Sequence, residues 1–248
     1  MSGVLIVTGG SRGIGAACAR LGGARGYKVC VNYNTRADRA EEVVGDIAEA
    51  GGTAIAVQAD VSTEEGATAL FAAADEEFGP VSALFNNAGT ILPQGLVSDC
   101  TAADLERLWR INITSQFLCA REAIRRMSTK HGGAGGAIVN MSSVHSRLGA
   151  PGVFVSYAAS KGAIDSFTQG LALEVVDQGI RVNAVRPGLI DTEIHGLGGD
   201  PDRPRTVGPS LPLGRAGTPE EVAQTVLWLM SDEASYVVNA LVDVGGGR

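Results

Sequence analysis

A doubly wound, seven-stranded parallel α/β sheet with helices on both faces, built as one domain over residues 1–248, is the architecture this sequence predicts. Three observations predict it. Short apolar runs alternate with helix-length amphipathic segments from one end of the chain to the other. The runs are continuous in Val, Ile, Leu and Ala, as strands covered on both faces require. A glycine loop directly follows the first run and opens the first helix.

In order, Val4 to Thr8 is followed by a helix from about Gly13, and Val29 to Tyr33 by a helix from about Arg36 to Ala50. Ala54 to Gln58 leads into a helix from about Thr63 to Phe78, and Val81 to Phe85 into helical stretches from about Ala103 to Lys130. Ala137 to Met141, a helix through Tyr157 and Lys161, Arg181 to Val185, a helix from Thr218 to Met230 and a last run Leu241 to Val244 complete the alternation. Strand–helix–strand order implies parallel pairing with crossover helices. Two places strain the pattern. Gly22 and Gly23 fall within or at the end of the first helix, where each glycine costs about 1 kcal/mol against alanine. The Gly- and Pro-rich stretch 189–217 is too long for an ordinary connection and is the expected substrate loop, a lid over the site.

The loop after the first run reads Thr8-Gly9-Gly10-Ser11-Arg12-Gly13-Ile14-Gly15. Glycines at 9, 13 and 15 permit a tight turn, close backbone approach to a diphosphate and packing of helix on strand, with the helix N-terminus aimed at the anion. Dinucleotide contacts are therefore expected from Gly9, Ser11, Arg12, Gly13, Ile14 and Gly15. At the end of the second strand an acid would accept from an adenosine ribose hydroxyl and repel a 2′-phosphate. None is present in Asn32-Tyr33-Asn34-Thr35-Arg36. Arg12 and Arg36 supply two guanidinium groups for a phosphate. NADP(H) is favoured over NAD(H); use of both cofactors, or two merely solvated arginines, are the alternatives.

The stretch from Ile138 to Lys161 carries the chemistry. Its apolar run delivers Ser143 where the strand runs out, and the next helix presents Tyr157 and Lys161 on one face, four residues apart. A free phenol titrates near about 10. An ammonium fixed beside it favours the ionised form and moves it towards neutral pH, where an acid or base is useful. The Ser143 hydroxyl is placed to polarise a substrate oxygen. His145, Arg147 and Phe154 flank this centre and offer the pocket a donor or a cation, or else face solvent.

With Asn86-Asn87-Ala88-Gly89 after the fourth strand, the chain resembles the short-chain dehydrogenase/reductase family over its whole length. The resemblance rests on the glycine loop, Asp60 and Val61, the Asn-Asn-Ala-Gly element, Asn112, Ser143, Tyr157 with Lys161, and Pro187 with Gly188. It implies a Rossmann-type domain in which Asp60 and Val61 touch the adenine and Asn87, Ala88 and Gly89 line the adenosine ribose side. Pro187, Gly188, Ile190 and Thr192 would hold the nicotinamide carboxamide. It implies further that Tyr157 donates a proton to a carbonyl oxygen as hydride is delivered, while Ser143 hydrogen-bonds that oxygen. Lys161 would hold the nicotinamide ribose hydroxyls and lower the phenol, and Asn112 would fix a water relaying protons towards Lys161.

Within the family the chain is similar to 3-oxoacyl-acyl-carrier-protein reductases and bacterial glucose dehydrogenases. Val238 and Asn239 stand where Thr-Gly is common, a departure that touches the local turn. The expected activity is interconversion of a small-molecule carbonyl and a secondary alcohol with NADP(H). An NAD(P)-dependent sugar 1-dehydrogenase is the alternative, and a non-catalytic dinucleotide-sensing protein is the alternative of another class. The complete Asn112, Ser143, Tyr157 and Lys161 set speaks against the sensor. A homotetramer or homodimer is expected by resemblance. Arg121, Arg125 and Arg126 would suit an acidic carrier protein bearing the substrate, or form a solvated helix face.

Composition narrows the partners. A net charge of −7 argues against nucleic acid, and no apolar run approaches a membrane span. A glycine loop beginning at Gly9 leaves no room for a signal peptide, so a cytoplasmic location is expected. Cys18, Cys30, Cys100 and Cys119 lack metal-ligand spacing and read as free thiols, and His131, His145 and His195 are too dispersed for a metal site.

Overall fold

The computed structural model describes residues 3–248. Its strands are β1 (Val4–Val7), β2 (Lys28–Tyr33), β3 (Thr53–Gln58), β4 (Val81–Asn86), β5 (Gly136–Met141), β6 (Ile180–Pro187) and β7 (Leu241–Val244). Among the described residues they form one sheet in the order β3-β2-β1-β4-β5-β6-β7, every pair parallel. The doubly wound expectation is met. Strand order reverses between β1 and β4, and in such sheets the crevice outside the carboxyl ends at that reversal is where ligands bind.

One face is covered by α1 (Gly13–Ala24), α2 (Ala37–Glu49) and α10 (Pro219–Met230). The other carries α3 (Glu64–Phe78), α5 (Ser115–Met127) and α7 (Val155–Val175). Alternate strand residues feed the two cores: Leu5, Val7, Val29 and Val31 go to the first, Val4, Ile6, Cys30 and Leu84 to the second. Gly22 and Gly23 lie inside α1, and packing explains why. A Cβ at Gly22 would come within 2.7 Å of Leu5 Cδ2, and one at Gly23 within 2.6 Å of Ile47 Cγ2. Close approach of α1 to the sheet and to α2 thus offsets the helix propensity lost. Gly23→Ala is expected to destabilise by about 1–3 kcal/mol through overpacking, although alanine is the better helix former; urea unfolding checks this.

The long helical stretch after β4 is not continuous. It divides into α4 (Ala102–Trp109), a π turn at Arg110–Thr114 and α5, and it ends at Met127 rather than Lys130. The segment 189–217 is pinned at its base, with Asp191 N–H donating to Gly217 O at 2.9 Å and Gly217 N–H to Leu189 O at 2.9 Å. It carries two short helices, α8 (Ile194–Leu197) and α9 (Arg203–Val207). Short α6 (His145–Leu148) precedes α7.

The arginines of α5 are not a free basic face. Arg121 pairs with Glu64 through two hydrogen bonds of 3.1 and 2.7 Å, Arg125 with Glu122, and Arg126 with Asp75 and Glu122. These acids satisfy the cations that an acidic carrier would have met. At the other departure, Asn239 adopts φ +61°, so the turn keeps a left-handed residue where glycine is common. Its Oδ1 is buried without a partner. Asn239→Gly is therefore expected to raise the urea midpoint, by about 0.5–1 kcal/mol of stability. No helix among the described residues is long and apolar enough to cross a membrane, and no group of three metal-ligating side chains gathers among them.

Candidate active site

The carboxyl ends of β1, β2, β3 and β4 are tied together by side-chain hydrogen bonds that shape the glycine loop. Thr8 Oγ1 accepts from the Asn87 and Ala88 N–H groups, both at 2.9 Å. Asn87 Nδ2 donates to Thr8 O at 2.8 Å and Gly9 O at 3.1 Å. Asn32 Oδ1 accepts from Gly9 N–H at 3.1 Å, while its Nδ2 donates to Ala59 O at 3.0 Å. Asn32 is buried and its amide is committed to this brace. Asn32, expected among the cofactor-binding residues, also lines the cavity described next.

Gly9 and Gly13 have φ +60° and +53°, a region that favours glycine. A Cβ at Gly15 would lie 2.5 Å from Gly9 O, so only glycine lets α1 start this close to the loop. The start of α1 has no side-chain cap and no acid in its first turn. Its leading N–H groups and dipole face a glycine-walled cradle, a fit for a diphosphate.

From this cradle one cavity runs to the Tyr157 end. It is lined by Gly9, Ser11, Arg12, Gly13, Ile14, Tyr33, Asn34, Asp60, Val61, Asn87, Ala88 and Gly89, then by Ser143, Tyr157, Lys161, Pro187, Gly188, Ile190 and Thr192. Of the expected residues, Gly15 and Asn112 lie behind its wall. Asp60 does not cap α3, since Thr63 Oγ1 does so; Asp60 Oδ1 instead accepts from Ser62 N–H at 3.0 Å and Ser62 Oγ at 2.6 Å. At the far end of the cavity Arg36 is held by Asp38 through Nε (3.0 Å) and Nη2 (2.8 Å). Arg12 Nη1 lies 3.8 Å from Glu193, which also meets Arg39 at 3.5 Å.

β5 delivers Ser143 and α7 presents Tyr157 and Lys161, all three buried or half-buried at the cavity wall. Burial pushes the Tyr157 phenol up to about 12, with a hydrogen bond to Ser143 pulling it back. Burial pushes the Lys161 ammonium down to about 7, with the Asp165 charge acting against it. Lys161 Nζ donates to Met141 O at 2.7 Å and stands 5.6 Å from the Tyr157 ring centre. The lysine is thus a neighbour of the phenol ring, and the expected lowering of the phenol by Lys161 is absent from this arrangement. Asn112 sits in the π turn, fully buried, its Oδ1 accepting from Thr90 N–H at 2.8 Å and its Nδ2 donating to Ser160 Oγ at 3.0 Å. Such turns inside helices often mark functional positions. Here it seats Asn112 between the β4 loop and the Tyr157–Lys161 helix.

His145 and Phe154 do line the pocket, with His145 ring centres 6.1 Å from Tyr157 and 6.3 Å from Phe154. Burial lowers His145 to about 4, so the imidazole is neutral at neutral pH. Arg147 does not enter the pocket; it pairs with Asp243 and the Arg248 main-chain oxygen. Sequence reasoning missed Arg203, from α9, and Arg248, which both reach the cavity. No spacing rule links them to Tyr157, because only the folded segment and chain end bring them there.

A family model described as enoyl-(acyl carrier protein) reductase, of the short-chain alcohol dehydrogenase type, matches residues 9–248. An uncharacterized oxidoreductase, YgfF, of Escherichia coli (strain K12) is 53% identical over 245 residues, covering 99% of each chain. Glucose 1-dehydrogenase 2 of Bacillus subtilis (strain 168) is 40% identical over 242 residues, covering 98% of this chain and 93% of the relative. Among solved structures, a blue fluorescent protein from a metagenomic library, in complex with NADPH, superimposes with a TM-score of 0.89 at 32% identity. That match covers 99% of this chain and 97% of the other. With this coverage and the sheet order described above, the chain belongs to the short-chain dehydrogenase/reductase family, as an oxidoreductase acting on CH–OH groups.

Proposed function

We propose that this protein interconverts a carbonyl and a secondary alcohol with NADP(H), Tyr157 serving as general acid in reduction and general base in oxidation. One observation carries the reading: the Ser143 and Tyr157 side chains line the same cavity that starts at the glycine cradle. A nicotinamide bound there would supply or accept the hydride. Gly9, Ser11, Gly13 and Ile14 would hold the diphosphate and Thr192, Ile190, Gly188 and Pro187 the carboxamide end. Ser143 would orient the substrate oxygen towards the phenol, Lys161 would hold ribose hydroxyls, and Asn112 would keep the proton path to Lys161 in place. Residues 189–217 would close over the substrate. Assembly as a homotetramer or homodimer is part of the reading.

The absence of an acid at the end of β2 supports NADP(H) over NAD(H), and Arg12 and Arg36 line that end of the cavity. Arg36 keeps Nη1 outside its clasp with Asp38, so one phosphate contact is open to it. Fluorescence titration with NADPH and with NADH tests this on wild type, Arg12→Ala and Arg36→Ala. Tighter NADPH binding that either substitution weakens is the expected result; equal or tighter NADH binding in the wild type overturns the preference.

A phenol held above its ordinary value is protonated at neutral pH, the state a proton donor needs. Protonation of the phenol therefore sets no limit on reduction from neutral to mildly alkaline pH, and a fall in that range reports loss of the Lys161 ammonium, held at about 7. Oxidation requires the phenolate, so its rate is expected to rise by about one log unit per pH unit over the same range. Initial rates in both directions against pH check this.

A further inference from the structure

Resting on that reading of the site, we propose that the substrate is a small oxo or hydroxy acid whose carboxylate is bound by Arg203, at the cavity wall it shares with Tyr157. Arg203 comes from α9 of the lid and its guanidinium lies 5.6 Å from the centre of the Phe154 ring. Phe154 and Tyr157 each stand about one ring contact from His145, so guanidinium, phenyl, imidazole and phenol border one stretch of cavity. The Arg203 side chain is only 18% exposed. A half-buried guanidinium at a cavity wall favours an anionic ligand group beside it. Asp200 Oδ2 pairs with Arg203 Nη1 at 3.9 Å, an ion contact without a hydrogen bond, so the guanidinium keeps its donors for a ligand. Glu193, the other acid of the lid at this cavity, is drawn to Arg12 and Arg39.

The remaining polar groups agree in sign. Arg248 and Arg203 both act to keep the proton off His145, and no carboxylate opposes them. His195 Nε2–H donates to Ile190 O at 2.8 Å, so this ring adds no anion to the site. The substrate end of the cavity is therefore net positive, although the chain as a whole carries −7. A planar carboxylate on a guanidinium is a paired, two-point contact that an ester or amide cannot reproduce.

The test measures binding apart from turnover. Benzoate and benzamide, which differ in charge but hardly in shape, are titrated calorimetrically into wild type, Arg203→Met and Arg203→Lys, with urea midpoints confirming that each variant folds. Benzoate at least about tenfold tighter than benzamide in the wild type is expected, the gap vanishing in Arg203→Met and returning in part in Arg203→Lys. Benzoate binding no tighter than benzamide, or a preference that survives Arg203→Met, overturns the proposal. A parallel assay compares kcat/KM for 4-oxopentanoate with that for its methyl ester. Acid preference in binding with no carbonyl compound turned over would keep the anion site and remove the carbonyl-reductase reading. Equal turnover of acid and ester with no benzoate advantage would do the reverse.

Discussion

Tyr157→Phe is expected to lower kcat for carbonyl reduction by about 10³-fold or more while leaving NADPH affinity within about twofold of wild type. The substitution removes one oxygen and leaves the ring that packs beside His145 and below Lys161. The phenol is buried, and Ser143 is its hydrogen-bonding neighbour. In the variant, Ser143 would still meet the substrate oxygen but would have no proton to pass on without leaving itself charged in a poorly hydrated site. Loss of kcat with KM and cofactor binding kept would mark an interaction made in the transition state. A variant with wild-type kcat would remove Tyr157 from the chemistry.

Lys161→Met is expected to separate function from stability. Activity falls by about 10²-fold or more, because the ammonium that would hold ribose hydroxyls is gone. Stability moves the other way. Lys161 is 2% exposed, and burial holds it at about 7, whereas an unfolded lysine titrates near about 10.4. Between these values the unfolded chain binds more protons than the folded one. Wild-type stability therefore rises with pH from about 7 to about 10, and the full cost of the buried charge is carried below 7. Methionine fills similar volume without that cost, so Lys161→Met is expected to be more stable than wild type at pH 6 by about 1–4 kcal/mol, the difference shrinking as pH rises. Urea unfolding at pH 6 and pH 9 checks both the sign and the trend. A variant less stable than wild type at pH 6 would mean that the bond from Nζ to Met141 O outweighs the desolvation.

The strands, the glycine loop and the Ser143–Tyr157–Lys161 cluster were legible because each is a local pattern. Continuous apolar runs demand burial on both faces, three glycines at fixed spacing demand a close-packed turn, and a four-residue spacing fixes two side chains on one helix face. Gly22 and Gly23 looked like faults for the same reason: their justification lies in Leu5 and Ile47, which only the packed fold brings near. The bracing bonds of Asn32 were not legible, since its partners Gly9 and Ala59 are remote in sequence. The acidic partners of Arg121 and Arg126 were not legible because Glu64 and Asp75 come from another helix. Arg203 carried no signal at all, lying in a Gly- and Pro-rich segment whose course is set by its pinned base.

The most direct test of hydride transfer in this cavity uses NADPH carrying deuterium at the transferring position of the nicotinamide, incubated with the protein and a panel of ketones and oxo acids. Mass spectrometry of the alcohols then reads the label. One deuterium on the carbinol carbon for each NADPH consumed, lost with Tyr157→Phe, is the result the account predicts. Tight NADPH binding with no labelled alcohol from any carbonyl compound would contradict it and leave a dinucleotide-binding protein without this chemistry.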